Sequence, residues 1–463
     1  MKFRSGYNIL LEGKPRLEVK LMAEQAQLYL PLQSRRFAFG ELCVSDGRSV
    51  KAGDALARDT DNYSVPLLAP RGGTVRLRPA DDYIMLEKIT FSGERTSVPE
   101  QQPQHIAQMG AEGGKRYRLL ELGAWQFFED AYTGDLPDPF GTPQAVIVST
   151  VSLEPFVARG DAQLYGRLLN FTRGLEHLQG LLEYQPIYLV MPDIRSEFAA
   201  RLREQIRGYA WVNLLEIPPR YPFDNFNILA RILGLKKKAG PVWAVRTDGV
   251  LAVDRALTQA QPCLSRVISI GGPAVKSPVH IETVPGYPIQ AILDMYVSGP
   301  DVRIINGGLL TGRRISAGTL GLDTECRGLT ILAESADREP FAFIRPGWDR
   351  SSYSGCFLSS LRRSFPERLT AAVRGEARPC ISCGFCEKIC PAGIMPHLIH
   401  KYLYQDMIEQ AEQVRLDLCV GCGLCSFVCP SKIELRDQFV QAQQMLKKQN
   451  KELQEKSVEG TNL

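Results

Sequence analysis

The chain has 463 residues, 44% of them hydrophobic and 23% charged, with a formal net charge of +4. This is the composition of ordinary folded protein, long enough for about three domains and for cores that bury about three quarters of the unfolded surface. So even a charge balance, with no basic stripe interleaved with aromatics, gives no case for nucleic acid, and no apolar run approaches the ~18 residues of a membrane-crossing helix.

Residues 1–15 carry charges but no apolar core and do not read as a secretory signal. Segments 28–30, 42–44, 50–52, 67–69 and 74–77 are short apolar runs punctuated by Gly, Pro and Asp, which predicts an all-β unit over 1–100. The wording ELCVSDGRSVKAGDALARDT, followed by VPLLAPRGGTVRL, resembles the barrel-sandwich fold of biotinyl and lipoyl domains. In modified members of that fold the lysine stands at the tip of a tight hairpin. Lys51 stands instead in the V-K-A-G strand entry, and the other hairpin carries Arg71-Gly72-Gly73, so the unit is expected to be scaffold.

Residues 79 to about 114 are polar, Gln-rich and Pro-containing, and read as a connector. An α/β unit follows over 115–260. Helices are expected at 119–132, 163–182, 196–208 and 225–235 from apolar residues at helical spacing, and buried strands at 145–150, 187–191 and 214–217. Strands alternating with helices argue a parallel sheet covered on both faces. Over 261–338 the texture is β again (RVISIGGPAV, VHIETVPG, VRIINGGLL, LTILAE) around one helix at 288–296, the pattern of a β-grasp module. Gly271-Gly272 and Gly307-Gly308 read as turns or bulges rather than phosphate loops. A linker with an Arg-rich helix (359–374) occupies 339–376, and 451–463 reads as a disordered tail.

Eight of the 12 cysteines form two C-x2-C-x2-C-x3-C-P runs. Three thiolates on successive short turns can hold three corners of a [4Fe–4S] cube, and in two-cluster proteins the fourth ligates the other cube. Cys380, Cys383, Cys386 and Cys429 are therefore assigned to one cluster, and Cys390, Cys419, Cys422 and Cys425 to the other. Zinc would favour paired C-x2-C with a longer gap, and disulfides are not expected without an export signal. Cys43, Cys263, Cys326 and Cys356 are single and read as small buried hydrophobes. Helical spacing between and after the runs predicts an α-helical two-cluster domain over 377–450. His397 and His400, one turn apart near Cys390, could tune that cysteine's cluster, although a solvated helix face is the expectation.

The order barrel-sandwich, α/β, β-grasp (SLBB-like) and helical ferredoxin defines a multidomain α/β and α+β chain. It resembles the family that contains the A subunit of the Na(+)-translocating NADH:quinone oxidoreductase (Nqr) and the C subunit of the Rnf complex, both similar to the flavin subunit of complex I. CISCGFCEKICPAGIMPHLIHKY and CVGCGLCSFVCPSKIEL look like the Rnf side. GYNILLEGKP, SIGGPAVKSP, INGGLLTG and RPGWDRSSYSGCFLS look like the Nqr side.

The resemblance implies an FMN site at a G-x-G-G-A-G-F-P-T loop and a v-N-x-x-E-x-E-P strand. This chain has only MGAEGGKRYR at 109–118 and VIVSTVSLEPF, which keeps Glu154-Pro155 but has Ser152 two residues earlier. Two weakened elements at one site argue against FMN, and no catalytic residue is assigned. Quinone, associated with the Nqr A subunit, is a candidate partner near Pro346-Gly347-Trp348. A turn around a buried Trp348 is the alternative there.

The expected role is one-electron relay through two [4Fe–4S] clusters. The chain would be a peripheral subunit on the cytoplasmic side of a membrane-bound Nqr/Rnf-like complex, with other subunits and a protein donor and acceptor as partners. The alternatives are an FMN-containing NADH dehydrogenase subunit of Rnf type, and a scaffold whose clusters are structural.

Overall fold

The computed structural model describes residues 5–78, 81–90, 110–193, 196–297, 299, 301–316, 318–334, 346–348, 353–355, 357–361 and 377–459. The connector over 91–109 and most of the 339–376 linker, its Arg-rich helix included, lie outside the described residues. The architecture is mixed α/β, with several sheets and a helical C-terminal region.

The first unit is built from two small antiparallel sheets. In spatial order one runs Gln27–Pro31, Tyr83–Thr90, Gly72–Arg78, Ser49–Val50, and the other Glu41–Leu42, Ala55–Asp59, Val65–Leu68. Alternation along the strands turns Leu28, Leu30, Leu56, Leu67, Val75, Ile84 and Leu86 into one core, each at most 1% exposed. Each contributes on the order of 1.5–3 kcal/mol by leaving water. Ala55–Asp59 and Tyr83–Thr90 are strands that the sequence does not mark, and the second falls in the stretch read as connector. Arg58 in one and Glu87 and Lys88 in the other dilute their apolar signal. Lys51 is exposed at the head of a turn, its N–H donating to Asp54 Oδ2 at 2.8 Å.

The second unit has a five-stranded sheet in the order Val212–Ile217, Ile187–Pro192, Ala145–Ser149, Val242–Arg246, Phe128–Asp130; the first four strands are parallel and the last antiparallel. All five residues of Ala145–Ser149 are buried, as a parallel strand covered on both faces requires. The helix expected over 119–132 is different. It spans Gly110–Glu121, the chain turns at Gly123 (φ +73°), and Phe128–Asp130 returns as the edge strand. Tertiary packing decides this: Trp125 stacks on Phe128 at 4.3 Å and meets Trp243 edge-on at 5.0 Å, a trio worth about 0.5–1.5 kcal/mol per pair beyond area burial. The expected 163–182 helix is broken into Gly160–Gln163 and Leu168–Gln179 by Gly166 at φ +70°. Val242–Arg246 and the helix Thr247–Thr258 complete the unit and are not among the expected elements. The strand order puts the topological switch between Ala145–Ser149 and Val242–Arg246, where open α/β sheets meet ligands beyond the carboxyl ends of their strands.

The third unit is a six-stranded sheet in the order Val19–Leu21, Val279–Thr283, Arg266–Gly271, Gly328–Ala333, Val302–Asn306, Arg313–Arg314, with the helix Ile289–Tyr296 beside it. Its first strand comes from the N-terminal segment, which leaves the first unit to pair in parallel with Val279–Thr283. Tyr7 of the same segment bridges to Tyr221 of the second unit, N–H to carbonyl at 2.8 Å.

The C-terminal region is helical. Short helices Phe385–Ile389 and Leu424–Phe427 follow the turns of the two cysteine runs, and Pro396–Tyr404 and Ile408–Gln413 lie between them. Leu435–Glu459 closes the chain and is helical through part of the stretch read as a disordered tail. Ile399, Leu416, Phe439 and Ala442 form the centre of this region.

Candidate metal centre

The two cysteine runs fold alike. In each, the middle of the second C-x2-C is a left-handed glycine that opens a short helix: Gly384 at φ +75° and Gly423 at φ +78°. A second left-handed residue precedes the middle cysteine, Ser382 at φ +52° and Gly421 at φ +63°. Such reversals turn successive N–H groups inward, the backbone geometry that cradles anions and sulfur. Accordingly Ser382 N–H donates to Cys380 Sγ at 3.4 Å. Backbone N–H groups of Gly421, Leu424 and Ser426 serve Cys419, Cys422 and Cys425, and those of Glu387 and His397 serve Cys386.

The eight cysteines border two separate cavities. One is lined by Cys380, Cys383, Cys386 and Cys429. The other is lined by Cys390, Cys419, Cys422 and Cys425. Each thus takes three cysteines from one run and the last from the other. Among the described residues no three or more of His, Cys, Asp and Glu close on a single metal ion. Four cysteine sulfurs bordering one cavity fit the four-thiolate donor set of a [4Fe–4S] cluster.

The cavities differ in setting. Around the first, Cys383 is exposed and the neighbouring Ile381 is 65% exposed. The second stands where the helical region docks on the rest of the chain, and none of its four cysteines is exposed. Tyr221 Oη donates to Cys422 O at 2.7 Å, Arg231 Nη2 to Leu418 O at 3.3 Å, and Arg436 Nη2 to Thr311 O at 3.1 Å. Ile9, Leu11, Phe156, Ile389, Leu424 and Val428 make the apolar part of this junction. Burial accordingly pushes the Cys422 thiol up to about 12, Cys419 to about 11 and Cys425 well above the ordinary thiol value, and around the first cavity it pushes Cys386 to about 11 as well. Without metal these thiols are neutral at pH 7, so loading must release protons.

Glu154 is placed by the same junction. Its carboxylate accepts from Leu310 N–H (2.9 Å), Thr311 N–H (2.6 Å) and Thr311 Oγ (2.7 Å), all in the INGGLLTG loop of the third unit. Ser152 accepts from Arg327 Nη2 at 3.2 Å, and burial lowers that guanidinium to about 10. The glycine pairs serve close approach. A Cβ on Gly308 would lie 2.2 Å from Glu154 Cδ, and one on Gly272 2.1 Å from Ile331 O.

Several expectations change. His400 is buried, its Nδ1 2.7 Å from Gln438 Oε1, so it does not stand on a solvated face. His397 lines the first cavity rather than that of Cys390, with Nδ1 3.6 Å from Glu387. Trp348 is 53% exposed, so the turn at Pro346 is not built around a buried indole. Of the single cysteines, Cys326 is buried as expected, Cys43 and Cys263 are partly exposed, and Cys356 lies outside the described residues. Thr311 lies in the INGGLLTG stretch, but without an assigned role, and Tyr221, Arg231 and Arg436 carry no motif. Their only signal is spatial.

The model for a 4Fe-4S dicluster domain matches residues 379–433, and that for the NQRA C-terminal domain matches 267–317. The A subunit of Na(+)-translocating NADH-quinone reductase from Actinobacillus pleuropneumoniae serotype 5b is 25% identical over 375 residues, 80% of this chain and 82% of that protein. Its counterpart from Cellvibrio japonicus is 23% identical over 417 residues, 89% of this chain and 91% of its own. A solved NAD+-reducing [NiFe]-hydrogenase in its H2-reduced state aligns with 84% of this chain and 75% of that chain at 9% identity and a TM-score of 0.41. The A-subunit relatives are parts of an oxidoreductase complex. Among the described residues no helix is long and apolar enough to cross a membrane.

Proposed function

We propose that this chain, a homologue of Na(+)-translocating NADH-quinone reductase A subunits that carries a 4Fe-4S dicluster domain, is an electron-relaying subunit of an Nqr/Rnf-like complex. Its partners are the other subunits of that complex, and it sits peripherally on the cytoplasmic side of the membrane. Cys380, Cys383, Cys386 and Cys429 hold one [4Fe–4S] cluster, and Cys390, Cys419, Cys422 and Cys425 hold the other. The observation that carries this reading is the exchange of the fourth cysteine between two cavities, which interlocks the runs as a two-cluster protein needs.

Bound clusters would supply reversible one-electron transfer. The chain's own residues do the rest. Inward N–H groups stabilise sulfur charge, and the docked units keep water from the second cavity. The exposed Cys383 edge of the first cavity is the side from which a partner exchanges electrons. FMN has no place in this reading. Glu154 is engaged by Leu310 and Thr311, and Ser152 by Arg327, so neither is free to serve a flavin. The two-sheet β unit, the α/β unit and the β-grasp unit act as the frame that positions the cluster region.

The test is anaerobic purification of the full chain with iron, sulfide and flavin analysis and EPR. About eight irons and two interacting [4Fe–4S] signals are expected. Fewer than about four irons would remove the central assignment. Stoichiometric FMN would favour an NADH dehydrogenase subunit. Clusters that cannot be reduced without unfolding would favour a structural scaffold.

A further inference from the structure

The two cavities differ in charge. Among the described residues, no Lys, Arg, Asp or Glu borders the first, whereas Arg436 borders the second. Arg436 lies at the start of the closing helix Leu435–Glu459, and its side chain is 20% exposed. Nε donates to Gly421 O at 2.9 Å, within the loop between Cys419 and Cys422. Nη2 donates to Thr311 O at 3.1 Å, in the third unit. Nη1 pairs with the exposed Asp437 at 3.0 Å, and the backbone N–H donates to Ser426 Oγ at 2.9 Å. Arg231 reaches the same cysteine loop from the second unit, 3.3 Å from Leu418 O.

A cation here has a physical task. None of the second set's cysteines is exposed, whereas Cys383 of the first is, and desolvation opposes any added negative charge there. A guanidinium is always charged, and its planar fork holds two carbonyls at fixed angles, which a flexible ammonium does less well. Its field acts through protein rather than bulk water, so its influence on a neighbouring charge is larger than at an exposed site.

We propose that Arg436 is the charge-compensating and positioning residue of the Cys390, Cys419, Cys422 and Cys425 set, fixing the Cys419–Cys422 loop and favouring the more reduced state of the group those cysteines hold. The inference rests on the two-cluster reading above. Thr311, held from its other side by Glu154, is the anchor that carries the third unit's position to Arg436. The first set, with no such cation at its wall, is independent of this residue.

The experiment is an EPR-monitored redox titration of the full chain, purified anaerobically, with iron counted in each sample. Arg436→Gln is expected to disfavour reduction of one cluster at least tenfold, a shift of about 59 mV to more negative potential for one electron, and to leave the other unmoved. Cys390→Ala identifies which signal belongs to the second set. Arg436→Lys, which keeps the charge and loses the fork, is expected to return that potential towards wild type. If Arg436→Gln fails to retain the second cluster, retention by Arg436→Lys supports the proposal and equal loss overturns it. Potentials within twofold of wild type in equilibrium constant, or equal shifts in both clusters, overturn it as well. A wild-type chain with both signals and an unmoved Arg436→Gln removes this inference alone. A wild-type chain without iron removes the two-cluster reading and the inference with it.

Discussion

Replacing Glu154 by Ala takes away the acceptor shared by Leu310 N–H, Thr311 N–H and Thr311 Oγ. The hydroxyl can rotate to another partner, but the two N–H groups are fixed by the backbone of a loop packed closely on Glu154 through Gly308. Each buried N–H left without an acceptor costs about 1–3 kcal/mol; with some water entering the vacated space, the pair costs about 2–4 kcal/mol. Because each 1.4 kcal/mol is about tenfold, local opening of the loop should become roughly 30- to 700-fold more frequent. Native-state hydrogen exchange on the full chain reads this directly at Leu310 and Thr311. Through Arg436 and Thr311 O it reads a smaller effect at Gly421. Protection at Leu310 and Thr311 within threefold of wild type would refute the reasoning. Burial raises the Glu154 carboxyl above its ordinary value; its three donors oppose the rise and the neighbouring Asp224 adds to it. The folded chain therefore binds that proton more tightly than the unfolded chain. This group's share of stability is full below the unfolded pKa, about 4.3, and declines as pH rises through the folded value. The Ala variant's deficit should shrink over the same window.

His280 is fully buried, with Nδ1 2.6 Å from Arg16 O and Nε2 accepting from Arg159 N–H at 3.3 Å, a pairing that only the neutral ring satisfies. Burial lowers its pKa, with Arg159 also lowering and Asp161 raising it, so the unfolded state takes up the proton first and stability falls as pH drops below about 6.5. Thermal melts from pH 7.5 to 5.5 should show a steeper loss in wild type than in His280→Gln; equal slopes would exclude the role. Gly423→Ala must place a Cβ 2.8 Å from Leu310 O at φ +78°, whereas Gly393→Ala, at φ +66°, meets nothing within 4 Å. The second should cost only about 1 kcal/mol of left-handed strain; the first should cost more and lower iron retention. Similar losses in the two variants would show that the junction is not tight. Cys429→Ala should deplete the cluster of the first run and Cys390→Ala that of the second, read by EPR, and loss confined to each residue's own run would overturn the exchanged assignment.

Local chemistry is what the sequence determines by itself. The paired C-x2-C-x2-C-x3-C-P runs announce two sets of three neighbouring thiols plus one, because a few residues of backbone can turn three thiols inward but not the fourth. Ala145–Ser149, Ile187–Pro192 and the strands Arg266–Gly271, Val279–Thr283, Val302–Asn306 and Gly328–Ala333 are legible for the same reason: their apolar runs are continuous and short, and Ser196 and Asn225 cap their helices where the pattern begins. Everything that depends on partners far along the chain was decided only by the tertiary structure. Phe128–Asp130 is an edge strand because Trp125 and Trp243 pack there, and Val19–Leu21 finds its sheet some 260 residues away at Val279–Thr283. Glu154 keeps its dipeptide with Pro155 yet serves Thr311, 157 residues later. Which cysteine set has no exposed member, and which has a guanidinium at its wall, follows from Tyr221, Arg231 and Arg436 meeting at one junction. No residue in their neighbourhood of sequence announces that meeting, since hydrogen bonds across a domain interface leave no period and no spacing to read.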